Sequence, residues 1–336
     1  MSLTLVKGKS ETEEMGKKIE LCTSPFFVIE KRKIRAAVIG LGRIGWWLEA
    51  YDVKREKPCT HVGAYILHPD TELVGVCDID RDRLRDFEDW YTWFMMGEED
   101  ELVVATDFRE MLKTAKPDLV SVATPTDTHY EIVKEIVESP YRPRAVFCEK
   151  PITENWVEAS HLVNLCREKG VILAVNQTRR WDKLYQRVKE IIDSGELGEL
   201  RAFRGVYSGG RLRCGVHMTD LAAWYTEQYP EALIDIVHVK SVYLIFEVDI
   251  IGTEGRIEIK DNGYEVHYYL PIESERYDDI AELAEFSKYA ELPTYSFSKA
   301  MLNAVGDLVK CIRKGGQPKC TGEDGLRALK LMEVVR

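Results

Sequence analysis

The chain has 336 residues, of which 45% are hydrophobic and 31% charged, and it carries a formal net charge of −11. This length allows two domains, each with a core of its own. The acidic balance disfavours binding to the phosphate backbone of nucleic acids, and no run of about 18 apolar residues predicts a membrane span. The N-terminus lacks the apolar stretch of a secretory signal. We therefore expect a cytoplasmic protein with no nucleic-acid or membrane partner.

The eight cysteines are scattered along the chain. None forms a C-x-x-C pair, and none has a histidine at zinc-ligand spacing. Cys77 and Cys148 fall within apolar runs, where cysteine behaves as a small hydrophobic residue. We therefore predict reduced, buried thiols and no metal site.

The first half of the chain alternates strand-like and helix-like segments. Five short apolar runs predict buried strands, at 34–39, 72–77, 118–123, 144–148 and 171–175. Apolar residues at helical spacing predict helices over 128–139 and 155–169. This alternation is typical of an α/β Rossmann domain with a doubly wound parallel sheet. We place that domain at 33–150 and interpret residues 1–32 as an N-terminal arm.

The pattern changes after about residue 180. A helix is expected over 182–193 and another over 298–314, and strand-like runs lie between them at 200–207, 240–250, 255–260 and 264–270. The turn residues Asp261-Asn262-Gly263 favour antiparallel pairing of the last two runs. The sequence therefore predicts an α+β domain over 151–336 with an open, mostly antiparallel sheet. We expect its C-terminal helices to pack back on the first domain.

An uncovered sheet face would favour self-association. The apolar residues Val242, Leu244 and Phe246 stand at alternate positions, so one face of the predicted strand needs a cover. Either helices of the same chain or a second subunit can supply it. We expect a homodimer or homotetramer.

A glycine motif follows the first predicted strand directly. Gly40-Leu41-Gly42-Arg43-Ile44-Gly45 matches GxGxxG, with a strand before it and a helix expected after it. Glycine permits a tight turn and a close approach of the backbone to a pyrophosphate, whose charge then lies at the helix N-terminus. The motif therefore predicts a dinucleotide site formed by Gly40, Gly42, Arg43, Ile44 and Gly45.

The second predicted strand ends at Asp78, which bears on the choice of cofactor. Its carboxylate can accept hydrogen bonds from both adenosine ribose hydroxyls of NAD, and it would repel the 2′-phosphate of NADP. We therefore expect NAD rather than NADP. Two alternatives stay open: Asp78 only caps the next helix, or one of Arg81, Arg83 and Arg85 lies close to it and favours NADP.

The spacing of these motifs indicates an insertion. Asp78 lies 33 positions after Gly45, against about 20 expected, and residues 46–60 form the excess. An insertion at this point would lie beside the cofactor cleft. It either shapes the substrate pocket or forms a surface loop.

Further motifs stand at the ends of the later strands and between them. They are Ala123-Thr124-Pro125-Thr126 with His129, Glu149-Lys150-Pro151, Asn176 to Trp181, Gly215 to Leu221 with His217 and Asp220, and Gly252-Thr253-Glu254-Gly255. Together they resemble the glucose-fructose oxidoreductase, inositol dehydrogenase and rhizopine catabolism family, Gfo/Idh/MocA, over about residues 33–336.

The resemblance implies a Rossmann domain followed by an open antiparallel sheet. It also implies hydride transfer between a nicotinamide cofactor and a ring alcohol of a sugar, an inositol or a nucleotide-linked sugar. Lys150 matches the family lysine that contacts substrate and the nicotinamide ribose, and His217 matches the active-site histidine. We assign Thr124, Pro125, Thr126, His129 and Glu149, with Lys150, to the cofactor site, and Asn176, Arg179 and Arg180 to the substrate site.

The chemistry of Lys150 and His217 can also be argued from the residues. Oxidation of a secondary alcohol needs a base for the hydroxyl proton. A lysine at the carboxyl end of a strand in such a sheet lies where ligands bind, and partial burial would lower its pKa. His217 can relay the proton near neutral pH. Asp220, three residues on, could orient His217, bind substrate or cap its helix.

Arg213 departs from the family pattern. It occupies the position, four residues before His217, where the family usually carries an aspartate of the acid–base pair. A guanidinium cannot act as a base. Arg213 and Arg211 therefore bind an anionic group of the substrate, or the chain has weakened or lost activity. The second case suggests an alternative function, a non-catalytic dinucleotide sensor on the same fold.

Overall fold

The computed structural model describes residues 32–96, 101–286 and 293–335. These residues form two six-stranded sheets, the first parallel and the second mostly antiparallel. The fold class that the sequence predicts is therefore confirmed. Of the predicted N-terminal arm, residues 1–31 lie outside the described residues.

The first sheet has the strand order β3-β2-β1-β4-β5-β6. Its strands are β1 (Ile34–Ile39), β2 (Thr71–Cys77), β3 (Val103–Ala105), β4 (Leu119–Val122), β5 (Ala145–Cys148) and β6 (Ile172–Val175). The four central strands are almost wholly buried because helices cover both faces of the sheet. The edge strand β3 is absent from the sequence prediction, since three half-buried residues give no detectable period. The chain order reverses between β1 and β4, where doubly wound sheets bind ligands.

Helices connect these strands, and side-chain caps fix where several of them begin. They are α1 (Leu48–Tyr51), α2 (His61–Leu67), α3 (Arg81–Phe94), α4 (Phe108–Ala115), α5 (Thr126–Glu138) and α6 (Trp156–Lys169). Asp80 caps α3 by accepting bonds from the backbone N–H groups of Asp82 and Arg83. Gly170 ends α6 in the left-handed conformation, with φ of 68°. Within the described residues, no helix has the length and apolar character needed to cross a membrane.

The parallel sheet continues past residue 150, where we placed the end of the first domain. Helix α6 and strand β6 follow that residue, and β6 pairs in parallel with β5 from Ala145↔Ile172 to Cys148↔Val175. The crossover through α6 therefore belongs to the first sheet.

The second sheet has the strand order β12-β11-β10-β9-β7-β8. Its strands are β7 (Leu200–Ser208), β8 (Leu233–Val239), β9 (Phe246–Gly252), β10 (Arg256–Lys260), β11 (Glu265–Glu273) and β12 (Ala281–Glu285). All neighbours are antiparallel except β7 and β8. The predicted turn joins β10 to β11, and Asp261, Asn262 and Gly263 all have positive φ.

The strand predicted over 240–250 is wrong at its start, because β9 begins only at Phe246. Val242 and Leu244 lie in the loop before it and are exposed. The alternation that we interpreted as a strand face therefore belongs largely to a loop, and the inward residues of the sheet begin with Phe246 and Val248.

The remaining helices divide between two cores. They are α7 (Lys183–Asp193), α8 (Val216–Tyr225), α9 (Phe297–Lys314) and α10 (Gly322–Val334). Helices α7 and α8 pack on the second sheet, whereas Met301 and Leu308 of α9 and Leu329 of α10 join the core of the parallel sheet. The two C-terminal helices therefore pack on the first domain although they follow the second in sequence.

A buried ion-pair cluster joins the two halves of the protein. Arg180, just after β6, donates to both carboxylate oxygens of Asp220 on α8 at 2.9–3.1 Å. Its third nitrogen lies 3.2 Å from Asp324 on α10. All three side chains are at least nine-tenths buried. Burial raises the pKa of Asp220, while the charge of Arg180 favours its ionised form. Arg180 and Asp220, which the sequence assigns to substrate binding, are bonded to each other.

We expect Arg180→Ala to lower the free energy of unfolding by about 3–5 kcal/mol, because it leaves the buried carboxylate of Asp220 without its paired cation and leaves Asp324 with Arg327 alone. Urea unfolding measures this change. The matched control is Arg204→Ala, since Arg204 lies 3.7 Å from Asp235 in an exposed pair and should contribute little. Equal stability of the two variants would contradict the assignment.

Candidate functional site

The three glycines of the turn after β1 have different surroundings. A Cβ on Gly40, whose φ is 91°, would lie 2.8 Å from the backbone of Ala123, and one on Gly45 would lie 1.9 Å from the oxygen of Gly40. A Cβ on Gly42 would have no atom within 4 Å. Gly40 and Gly45 therefore permit close packing of the turn, whereas Gly42 faces open space. This arrangement fits a pyrophosphate lying against the backbone at Gly42.

The segment after Gly42 begins with a wide helical turn, Arg43–Trp47, before α1. The N–H groups of Trp46 and Trp47 both donate to the carbonyl oxygen of Gly42, at 3.1 and 3.0 Å. No side chain caps this turn. The helix start that the motif predicts is therefore present, although it is short.

Asp78 lies at the end of β2 and supports the glycine turn. It is buried, and its Oδ2 accepts a hydrogen bond from the N–H of Leu41 at 2.8 Å. Arg83 of α3 also donates to both of its carboxylate oxygens, at 3.1 and 2.9 Å. Asp80, rather than Asp78, caps α3, so the helix-cap alternative for Asp78 is wrong.

A cavity of about 620 Å³ extends along this edge of the sheet. It is lined by the glycine turn, by Asp78 with its neighbours and by Thr124 and Pro125 after β4. The cavity is also lined by residues 106–109, by Thr128 and by Ile132. These residues are absent from the predicted site, because no motif marks them. Pockets of 300–1,000 Å³ with a few polar groups are typical small-molecule sites.

His129 and Thr126 are not among the residues lining this cavity. Thr126 begins α5. The ring of His129 is buried, with Nδ1 2.9 Å from the carbonyl oxygen of Pro151 and Nε2 2.9 Å from that of Thr124. His129 therefore links the segments that follow β4 and β5, and it can position Thr124 and Lys150 for a ligand.

A second cavity, of about 330 Å³, adjoins the first, and Thr124 lines both. It brings together residues predicted from separate strand ends and from α8. Its lining comprises Arg43, Ile44, Leu48, Arg55, Thr124, Glu149, Lys150, Asn176, Thr178, Arg213, His217 and Phe297. The two cavities together form one cleft along the carboxyl edge of the parallel sheet.

Lys150 is half-buried in this second cavity, and its Nζ donates to the backbone oxygen of Arg213 at 2.9 Å. Burial lowers the pKa of Lys150 from its ordinary value, although the charge of Glu149 opposes this shift. The neutral amine is therefore accessible at lower pH than for an exposed lysine, as proton exchange requires.

His217 lies near the start of α8 and lines the same cavity. Burial, with the positive charges of Lys150 and Arg179, holds the pKa of His217 well below its ordinary value. The imidazole is therefore neutral near pH 7 and has a nitrogen free to accept a hydrogen bond.

Asp220 does not orient His217. The carboxylate hydrogen bonds found in the described part of the chain connect Asp220 to Arg180. Arg179, predicted to bind substrate, stacks its guanidinium over the ring of Phe246 at 3.8 Å and donates to the hydroxyl of Tyr185. Arg211 donates to the backbone oxygen of Met332. Of the predicted substrate residues, Lys150, Asn176, Arg213 and His217 line the cavity.

A buried hydrogen-bonded chain reaches Lys150 from inside the first domain. The hydroxyl of Tyr65 lies 2.6 Å from that of Ser121, which lies 2.8 Å from Nδ1 of His61. Nε2 of His61 lies 3.0 Å from Oε1 of Glu149, the neighbour of Lys150. Asn176 donates to the same oxygen at 2.6 Å.

Glu149 is ionised by this arrangement. Burial alone would raise the pKa of Glu149, but the hydrogen bond and charge of His61, together with the charge of Lys150, hold it below its usual range. His61 is absent from the predicted site, because a lone histidine at the start of an apolar helix gives no signal of a contact 88 residues away.

The predicted insertion, 46–60, contributes to the second cavity. This agrees with the alternative in which the insertion shapes the substrate pocket. Leu48 and Arg55 are among its lining residues. Glu49 holds the end of the segment in place by accepting hydrogen bonds from the N–H of Cys59 and the hydroxyl of Thr60. The segment is therefore part of the site as well as of the surface.

No group of three or more histidine, cysteine, aspartate or glutamate side chains with metal-binding geometry occurs among residues 32–96, 101–286 and 293–335. The lining of the two cavities, with the glycine turn in the first and Lys150 and His217 in the second, fits an organic cofactor and a polar substrate.

Two models of one protein family match most of the chain. The family model described as "oxidoreductase family, NAD-binding Rossmann fold" matches residues 34–177, and the C-terminal alpha/beta domain model of the same family matches residues 197–336. The chain belongs to the Gfo/Idh/MocA oxidoreductase family. The predicted family is confirmed.

Relatives of this Gfo/Idh/MocA protein include named dehydrogenases. It is 25% identical to myo-inositol 2-dehydrogenase of Thermotoga maritima over 89% of this chain and 94% of that protein. An uncharacterized oxidoreductase of Schizosaccharomyces pombe is 37% identical over 111 residues. That match, like one to an uncharacterized oxidoreductase of Bacillus subtilis, spans less than two thirds of the relative, 29% and 42% respectively.

Solved structures share the fold. The WlbA dehydrogenase of Bordetella pertussis, solved with NADH and UDP-GlcNAcA, superposes with a TM-score of 0.68 at 19% identity, over 90% of this chain and 95% of that one. KijD10, a 3-ketoreductase of Actinomadura kijaniata solved with NADP, has a TM-score of 0.65 at 18% identity over 91% and 97%. Neighbours on this fold thus bind either NAD or NADP.

We expect Gly42→Ala to fold as the wild type does, because its Cβ meets no atom and φ of Gly42 is −63°. The methyl group would occupy the space facing the cleft and lower the affinity for NADH by about 10-fold or more, by analogy with losing one charge-assisted hydrogen bond. Fluorescence titration with NADH and a thermal melt measure the two effects. Unchanged affinity would contradict the assigned cofactor position.

Proposed function

We propose that this oxidoreductase transfers a hydride between NAD and a secondary alcohol or ketone of a sugar, cyclitol or nucleotide sugar. One observation carries the proposal. Lys150 and His217, two groups able to exchange protons, line a cavity that continues into the cleft beside Gly42 and Asp78. Hydride transfer from an alcohol needs such a proton acceptor next to the cofactor.

The cofactor would lie along the cleft, with its pyrophosphate at Gly42 and Arg43 and its adenosine ribose near Asp78. When bound, NAD supplies the hydride acceptor, or NADH the donor, at the nicotinamide ring. We favour NAD because the buried carboxylate of Asp78 would repel a 2′-phosphate. Arg83, already bonded to Asp78, supports the NADP alternative. Dissociation constants for NADH and NADPH decide between them, and tighter NADPH binding would overturn the preference.

Lys150 would take the proton of the substrate hydroxyl during oxidation and return it during reduction. Its Nζ is held by the backbone of Arg213, and burial keeps its pKa below that of an exposed lysine. His217, neutral at physiological pH, would hold the same hydroxyl by a hydrogen bond. Asn176 and Thr178 complete the polar wall of the cavity.

The related dehydrogenases support a polyol substrate. Besides the myo-inositol enzyme, a scyllo-inositol 2-dehydrogenase (NAD⁺) of Bacillus subtilis is 27% identical over 58% of this chain and 54% of that protein. A homodimeric or homotetrameric assembly and a cytoplasmic location stay predictions. Size-exclusion chromatography with light scattering tests the first.

We expect Lys150→Ala to reduce kcat by about 10²–10⁴-fold, the usual contribution of a positioned acid–base group. Steady-state assays with NAD across a panel of sugars and cyclitols measure this loss. The matched control is Lys134→Ala, since Lys134 pairs with Glu138 on the surface of α5. Wild-type turnover by Lys150→Ala would refute the role, and NADH binding without turnover on any polyol would favour the sensor alternative.

We expect Glu149→Gln to shift the ascending, acidic limb of the pH–rate profile for oxidation to lower pH. The charge of Glu149 raises the pKa of Lys150, so its removal lowers that pKa and makes the neutral amine available at lower pH. A profile of kcat/KM against pH measures the shift. Glu131→Gln, at an exposed position of α5, serves as the control. A limb that stays in place or moves to higher pH would contradict the coupling.

A further inference from the structure

The second cavity has an excess of positive charge. Four of its lining side chains are cationic, namely Arg43, Arg55, Lys150 and Arg213, against the single carboxylate of Glu149. That carboxylate is engaged by His61 and Asn176. A neutral polyol does not require this excess of positive charge, because its hydroxyl groups are uncharged and can be bound by neutral hydrogen-bonding groups.

Two of the four cations have a function in the proposed reaction. Lys150 would exchange the proton, and Arg43 lies within the glycine turn, where the cofactor phosphates would neutralise it. Arg55 and Arg213 remain. They approach the cavity from different parts of the chain, Arg55 from the insertion between α1 and α2 and Arg213 from the turn before α8.

Both guanidinium groups have donors left for a ligand. Arg55 uses its Nε for Asp52, at 3.0 Å, and its two terminal nitrogens have no partner among the described residues. Arg213 has no carboxylate within salt-bridge distance in that part of the chain, and its hydrogen bonds there are those of its backbone, to the carbonyl oxygen of Gly210 and from Nζ of Lys150. Arginine presents a planar pair of N–H groups that matches a carboxylate or phosphate.

We propose that the substrate is an acidic sugar or cyclitol whose carboxylate or phosphate is bound between Arg55 and Arg213. This inference rests on the proposed function, since it names the substrate class of the same site. The volume of about 330 Å³ suits a monosaccharide-sized acid. Arg55 is then a specificity residue that the insertion supplies.

The test compares three sugars that share one ring: D-glucose, D-glucuronate and D-glucose 6-phosphate. Calorimetric titration of each into the NAD-loaded full chain gives the affinity, and NAD reduction gives kcat/KM. We expect at least one acid to bind about 10-fold more tightly than glucose, or better, as for a hydrogen bond to a charged group. Comparison of the affinities for D-glucuronate and D-glucose 6-phosphate shows whether the site binds a carboxylate or a phosphate.

Variants test the two arginines. Arg55→Gln and Arg213→Gln should each remove most of the advantage of the acid over glucose. Arg187→Gln is the control, because Arg187 forms a comparable i,i+3 pair with Glu190 on α7 and lines neither cavity. A thermal melt of each variant checks folding.

Several results would overturn the inference. They are equal affinity for the three sugars, failure of both acids to bind, or losses in the two variants that affect glucose and the acids alike. The calorimetric readout does not need turnover. Oxidation of neutral sugars or inositol alone would therefore refute the acidic substrate and leave the proposed function standing, whereas acid binding without any turnover would refute the function alone.

Discussion

The site depends on one constraint, the parallel pairing of the strands in the first sheet. Parallel strands end at the same edge, so residues that follow different strands meet although they are far apart in sequence. Gly40 follows β1, Asp78 follows β2, Thr124 follows β4 and Lys150 follows β5. The two adjoining cavities lie along this edge. Pairing in the opposite direction would have separated these groups by the length of the sheet.

The second domain and the insertion close this edge of the sheet into a cleft that has an excess of positive charge in the second cavity. Helix α8 brings His217, and the turn before it brings Arg213. The buried contacts of Arg180 with Asp220 and Asp324 join these elements to the first domain. The ion pairs of Arg180 thus hold in place the elements that carry His217 and Arg213.

The buried chain from Tyr65 to Glu149 shows how the interior supports the site. A carboxylate can remain ionised in a core only when hydrogen bonds and opposite charge compensate its burial. His61, Asn176 and Lys150 supply this compensation. Glu149 in turn limits how far burial lowers the pKa of Lys150. The proton affinity of the proposed base is thus set partly by residues that do not line the cavity.

The sequence by itself determined the parallel sheet and the glycine turn, because periodicity and short motifs are local signals. Lys150 and His217 were singled out by the resemblance of their motifs to a known family. The sequence could not decide which of several polar residues reach the cavity. Arg180 and Asp220 carry charged groups of the kind that bind ligands, yet they pair with each other across two domains. His61 and Arg55, by contrast, give no motif and still reach Glu149 and the second cavity. Only the tertiary structure decides such contacts, since they join residues distant in sequence and depend on how the two domains pack.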